Sequence, residues 1–414
     1  MPERRGDGVG KSDLEGGKNL FKSDAIHAAM RRSSRLEELS LDQVPSPCYV
    51  IDELAIEKNC QILDKIQKLT GCKILLAIKG FAVFSLFPTI SKYLPGTCAS
   101  GLYEARLGKE EFGKEVHVYA PAYDDQEFAQ LLRISDHIVF NSLAQWERLR
   151  PLVEKSRRKI SCGIRINPEY SEISTELWDP CARYSRFGVK AKDFHSVPEG
   201  IEGLHFHTLC YQNSDTLERT LAVIEKKYGK HLSQVKWVNF GGGHAITKPG
   251  YDIDRLCGII KDFRKKYGVD VYMEPGDAVG RNAGVMVATV LDIVRNEKEI
   301  AIMDISAWAH FLDILVLASY RPEIIGGGNP NQLKYTYRLA SRSCLSGDII
   351  GDYSFQKPLH RGSKIIFPDM ASYSVVSDNI FNGIPLPSIA ILTKSNKVKI
   401  VRQSRYEDYK TRLS

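Results

Sequence analysis

The sequence predicts an α/β protein: a (β/α)8 TIM-like barrel followed by a C-terminal antiparallel β domain. Three observations predict it. Between residues 47 and 280, eight short apolar runs alternate with amphipathic stretches. After Gly280 the texture changes to β-type runs separated by Gly, Pro, Asn and Asp. The chain also has 414 residues, 43% hydrophobic and 26% charged, which is globular composition at a length beyond one small domain.

The first 43 residues are polar and lack the apolar centre of a signal peptide, and Asp7, Asp13 and Glu15 argue against a transit peptide. They read as a disordered arm with a short helix near residues 24–39, on a cytoplasmic protein. Residues 48–51 read as an early strand that joins the later β domain. The barrel runs are then KILLAI (73–78), TCAS (97–100), VHVYA (116–120) and HIVF (137–140), followed by ISCGIRI (160–166), GLHF (203–206), VKWVNF (235–240) and VDVYME (269–274). Residues 55–69, 102–112, 143–153, 214–227 and 254–266 carry helical periodicity between them. The same alternation also suits a doubly wound open sheet. Runs such as VMVATVLDIV, EIAIMDI, KYTYRL, KIIFPDM and SIAILTK build the β domain. The expected division is an arm over 1–43, a barrel over 44–282, a β domain over 283–402 and a tail over 403–414.

Composition narrows function. Fifty-seven basic against 50 acidic residues give +7, and no dense basic stretch with interleaved aromatics marks a nucleic-acid surface. No apolar run reaches the roughly 18 residues of a membrane span. Nine cysteines at irregular spacings suit reduced thiols rather than a disulfide or zinc framework, and no metal is expected.

Barrel chemistry gathers at the C-terminal ends of the strands. Those ends carry Lys79, Ser100, Asn141, Arg165 with Asn167, His207, Gly241-Gly242-Gly243-His244, and Glu274-Pro275-Gly276-Asp277. Lys79 leaves an apolar strand, where desolvation lowers an amine's pKa and frees it for a Schiff base; a snorkelling lysine would look the same. His207 sits where an imidazole covers a flat ring, or packs in a core. The glycines let backbone N–H groups approach an anion, or form a plain turn. Glu274 suits a pyridinium proton. Together these are the parts that pyridoxal phosphate requires: an amine for the aldehyde, a phosphate cradle and a carboxylate for the ring nitrogen.

The segments LLAIKGFAVFSLFP, ASGLYEARLGKEEFG, RINPEYSE, DPCARYSRFGV, LHFHTLC, WVNFGGGH, EPGDAVG, SCLSGDIIGDYSF, DMASYS and FNGIPLPSIAI resemble those of fold-type III pyridoxal phosphate decarboxylases. This is the alanine racemase-like group that includes ornithine and diaminopimelate decarboxylases. Its carboxynorspermidine/carboxyspermidine branch is the most similar, from about Pro45 to Leu392. The resemblance implies that Lys79 links the cofactor's aldehyde, His207 stacks on its ring and Glu274 pairs with the ring nitrogen. It further implies that Gly242, Gly243, Gly276 and Tyr373 line the phosphate and that Arg165 supports the cofactor's face. Cys344, delivered from the partner subunit of a homodimer, would protonate the carbanion, with Asp348 beside it binding substrate. Asp277, where the diaminopimelate and ornithine enzymes carry arginine, and Asp313 would suit a cationic polyamine tail. The implied reaction converts carboxynorspermidine or carboxyspermidine to norspermidine or spermidine plus CO2.

Departures from the branch cluster on the substrate side: Tyr211 for an acidic residue, Ala245 for a histidine, Arg281 for a tryptophan, and Ser341-Arg342 before Ser-Cys in place of Gly-Pro. Two alternatives therefore stand beside the main reading. One is decarboxylation of diaminopimelate or ornithine; the other is a regulatory homologue that has lost catalysis.

Overall fold

The structure, a computed structural model, describes residues 32–317 and 320–414. Eight parallel strands form the barrel. They are Lys73–Ile74 continued by Leu76–Ala77, then Gly96–Ala99, Glu115–Tyr119, His137–Phe140, Ser161–Asn167, Ile201–His205, Trp237–Asn239 and Asp270–Met273. The first strand breaks at Leu75 and closes the ring with its two halves: Lys73–Ile74 pairs with the eighth strand and Leu76–Ala77 with the second. These strands are buried on both faces, which is why they read as apolar runs rather than as alternating ones. The predicted fold class is the observed one.

The helices between strands owe their limits to local chemistry. Asp52 caps Glu53–Thr70 by accepting from the Leu54 N–H at 2.9 Å, and Gly71 ends the helix in the left-handed region. Ile253–Tyr267 is bounded likewise by Asp252 and Gly268. The stretch predicted as one helix over 102–112 is α-helical only over Leu102–Leu107, then widens to a π-helix over Gly108–Phe112. Inside the ring, Trp237 lies so close to Gly163 and Gly203 that a β-carbon there would fall 2.4 and 2.1 Å from the indole. Those glycines make room for the side chain that fills the barrel.

A second sheet of nine strands runs in the order Gly327–Gly328, Ile349–Phe355, Tyr335–Ser341, Lys298–Met303, Gly284–Asn296, Cys48–Asp52, Ser388–Leu392 and Val398–Arg402, with Lys364–Pro368 also on Gly284–Asn296. Cys48–Asp52 lies inside this sheet, antiparallel to Gly284–Asn296 and parallel to Ser388–Leu392. The chain thus begins in one sheet, builds the barrel and returns.

Both terminal segments carry short helices. Of the arm read as disordered, residues 1–31 lie outside the described residues. Residues 34–37 form a short helix whose Leu36 is fully buried with Val44, Cys48, Val50 and Leu392, while Arg35 ion-pairs with Asp52. This helix lies within the span 24–39 where a short one is expected, and its burial and ion pair dock the segment. The tail carries a helix, Tyr406–Leu413. Among the described residues, no helix is long and apolar enough to cross a membrane. All nine cysteines are free thiols.

Candidate active site

The C-terminal strand ends meet on one rim of the barrel. After the first strand, the Ile78 N–H donates to the Cys98 carbonyl at 3.1 Å and the chain turns through Lys79 and Gly80. The Lys79 side chain is exposed at the rim. Its charge nevertheless acts on Glu274, His207, Cys98 and Cys210, which places the amine among the site groups.

Glu274 follows the eighth strand. Burial pushes its carboxyl up, but His205, Lys79 and a hydrogen bond from Asn239 outweigh burial and hold it at about 2. Asn239 Nδ2 donates to Glu274 at 2.6 Å while Asn239 Oδ1 accepts from the Gly241 N–H at 2.8 Å; His205 Nε2 lies 3.5 Å from the other carboxylate oxygen. The carboxylate is therefore ionised and fixed in orientation. His207 accepts from the Gly242 N–H through Nδ1 at 2.8 Å. Burial, then the charges of Lys79 and Arg165, lower its pKa well below the usual value, so the ring is neutral. Arg165 is 5% exposed, its guanidinium held between the rings of Tyr119 and Phe187 at 4.6 and 4.5 Å, and it donates to the His207 carbonyl at 3.2 Å. Its reach is thus to the backbone that carries His207.

Backbone makes the rest of the rim. A β-carbon on Gly242 would lie 2.5 Å from the Glu274 carbonyl oxygen, and one on Gly243, whose φ is +84°, 1.9 Å from that of Leu209. A β-carbon on Gly276 would meet the Tyr373 hydroxyl at 2.2 Å. Tyr373 donates its N–H to the Gly80 carbonyl at 2.8 Å and has φ +61°, as does Tyr211. Left-handed backbone at two bulky residues beside one rim is the strain that functional sites concentrate. An amine, an ionised carboxylate, a neutral imidazole and a side-chain-free cradle fit a phosphorylated pyridine aldehyde.

Four expected residues fall outside this set. Cys344 is exposed on a loop of the second sheet, its N–H donating to Asn382 Oδ1 at 2.8 Å. Asp313 is exposed on the short helix Leu312–Val316. Asp277 and Asp348 both have partners within the chain. Asp277 is buried and paired with Arg281, and it also accepts from the Tyr211 hydroxyl at 2.9 Å. Asp348 is 3% exposed and accepts from Ser306 Oγ at 2.6 Å, the Ala307 N–H at 2.7 Å, the Trp308 N–H at 3.2 Å and Ser343 Oγ. It caps the turn Ala307–His310 and pins the loop that carries Cys344. Asp348→Ala is expected to cost about 1–3 kcal/mol in urea unfolding, because it strands buried donors. A raised KM at unchanged stability would instead support the expected substrate role. Asn239, His205 and the Tyr211–Arg281 contact were missed as site features; only Asn239, two residues before the triple glycine, carried any signal.

The family described as "Pyridoxal-dependent decarboxylase, C-terminal sheet domain" matches residues 48–371. The chain belongs to this family. As a member it is a carboxy-lyase, and pyridoxal phosphate is its cofactor. The chain is 42% identical over 383 residues to the carboxynorspermidine/carboxyspermidine decarboxylase of Campylobacter jejuni, covering 90% of this chain and 99% of that protein. It is also 42% identical over 381 residues to the carboxyaminopropylagmatine decarboxylase of Synechocystis sp., covering 91% and 98%. The crystal structure of carboxynorspermidine decarboxylase from Campylobacter jejuni, complexed with norspermidine, superposes with a TM-score of 0.82 over 89% of this chain and 100% of that one.

Proposed function

We propose that this decarboxylase acts on carboxynorspermidine and carboxyspermidine, releasing CO2 and leaving norspermidine or spermidine, in polyamine biosynthesis. The observation that carries the reading is the clamped, ionised Glu274 set among Lys79, His207 and the glycine cradle, in a chain 42% identical to relatives acting on carboxylated polyamines. Lys79 would hold the cofactor through its amine. Glu274 would keep a proton on the ring nitrogen, and Asn239 with His205 keeps that carboxylate turned toward its task. His207, neutral, would lie against the ring, with Arg165 fixing its backbone. Gly242, Gly243, Gly276 and Tyr373 would receive the phosphate. When bound, the cofactor withdraws the electron pair that remains on Cα once CO2 departs.

A proton must then reach Cα. Cys344 is exposed on the second sheet rather than on the rim, which suits delivery from a neighbouring copy. We infer a homodimer in which Cys344 of the partner subunit supplies that proton and completes each site. Nine unpaired thiols suit a reducing, cytoplasmic setting. The deciding experiment is mass spectrometry of products from carboxynorspermidine, carboxyspermidine and carboxyaminopropylagmatine, run side by side with diaminopimelate and ornithine. Release of CO2 from the first two at the highest kcat/KM is the expected result. Preference for the third would shift the assignment to a guanidinium-bearing tail; preference for either amino acid would overturn it.

A further inference from the structure

At the opposite end of the barrel, where the strands begin, a second group of polar side chains gathers. Glu115 and His117 lie two residues apart on the strand Glu115–Tyr119, so both point to the same face, and His137 opens the neighbouring strand His137–Phe140. His117 and His137 are partners across the parallel ladder, and their rings stack with centroids 3.9 Å and planes 7° apart. His117 Nε2 faces Glu115 Oε2 at 3.3 Å. Trp237 and Tyr272 back the group, their ring centroids 5.2 and 5.3 Å from that of His137. The chemistry at the rim uses none of these residues, because it sits at the other ends of the same strands.

Two imidazoles and a carboxylate are a ligand set for zinc, and their donor atoms all lie within 4.8 Å of one another. With bonds of about 2.0–2.1 Å, the edge of a zinc tetrahedron is about 3.3 Å, which matches the separation of His117 Nε2 from Glu115 Oε2. Among the described residues, His137 Nδ1 is buried with no hydrogen-bond partner. A buried nitrogen left without a partner costs free energy, and an ion at this point removes that cost. Lys73 donates to Glu115 Oε1 at 3.0 Å, which leaves the second oxygen toward the imidazoles. Its ammonium opposes a cation, but the side chain is 39% exposed, so water screens part of that charge. Glu115 is 34% exposed, which gives an ion a path from solvent.

We propose that Glu115, His117 and His137 form a zinc site where the barrel strands begin, with water as the fourth ligand. The ion takes the place of the hydrogen between Glu115 and His117, whose imidazole proton moves to Nδ1, and it gives His137 Nδ1 a partner. His137 is half-buried, and its ring tilts out of the stack to bring that nitrogen onto the ion. The site ties the strand Glu115–Tyr119 to the strand His137–Phe140 through side chains as well as through the ladder. No cysteine takes part, so the irregular cysteine spacing, which gives no reason to expect a metal, is no guide to this group. The inference is independent of the substrate proposed above.

The test titrates zinc chloride into the holoenzyme by calorimetry and reads the zinc-edge X-ray absorption of the same protein loaded with one equivalent. The expected result is one saturable equivalent per chain, with a shell of nitrogen and oxygen at about 2.0 Å. His117→Ala and His137→Ala are each expected to weaken that binding by at least about tenfold. Glu115→Gln should do the same, and it serves if the histidine variants do not fold, because Glu115 lies partly in solvent. A sulfur shell at about 2.3 Å assigns the zinc to the free thiols and overturns the site. Zinc affinity unchanged in the folded variants, or no saturable equivalent in the wild type, overturns it as well.

Discussion

Lys79→Ala is expected to lose the visible absorption of bound pyridoxal phosphate and to lower CO2 release by on the order of a thousandfold or more, because no other amine leaves the rim at that strand end. Lys79 is exposed, so its truncation falls in the class of surface changes worth about 0.5 kcal/mol or less. The comparison of stability must use cofactor-free proteins, since a ligand bound only by the native state raises Tm by mass action. The expected pattern is an unchanged cofactor-free Tm, a lost spectrum and lost turnover. A retained band would show that the amine is not the one that captures the cofactor.

Mixing two inactive variants is expected to restore activity. Cys344→Ala removes the proposed proton donor and should lower kcat by roughly 10²–10⁴-fold. Combined with Lys79→Ala and allowed to exchange subunits, it should recover about a quarter of wild-type activity, because half the dimers are then mixed and each has one site with both residues. The exposed position of Cys344, held by Asn382 and by the loop that Asp348 pins, motivates the experiment. Activity that stays at the level of the parents would mean that the thiol serves its own barrel or none.

The fold was legible for a physical reason. Parallel strands covered on both sides become unbroken apolar runs, and all eight runs coincide with strands of the ring. The break at Leu75 and the widening at Gly108 were not legible. The first is set by closure of the ring; at the second, a β-carbon on Gly108 would meet Thr97 Oγ1 at 2.4 Å, a contact between elements.

The same distinction runs through the site. Glu274, His207, Gly242 and Gly276 share a rim because a barrel brings every strand's C-terminal end to one side, which spacing along the chain reveals. The partners of Asp277 and Asp348 were not legible, because what reaches a carboxylate is set in three dimensions. Arg281 is only four residues from Asp277, yet nothing in the spacing says that it folds back while Tyr211 closes the other oxygen. Three of the four donors to Asp348 come from Ser306, Ala307 and Trp308, about forty positions earlier.

The strand Cys48–Asp52 has a consequence for biosynthesis. Ile51 aligns with Gly284 on one edge and Cys48 with Ser388 on the other. A nascent polypeptide must therefore hold this hydrophobic ribbon unmatched while the whole cylinder is translated, and again until the final hairpin clears the ribosome. Such distant pairing slows folding and leaves an edge open to self-association. Emergence of Ser388–Leu392, rather than of the cylinder, is the moment at which this ribbon gains its second neighbour.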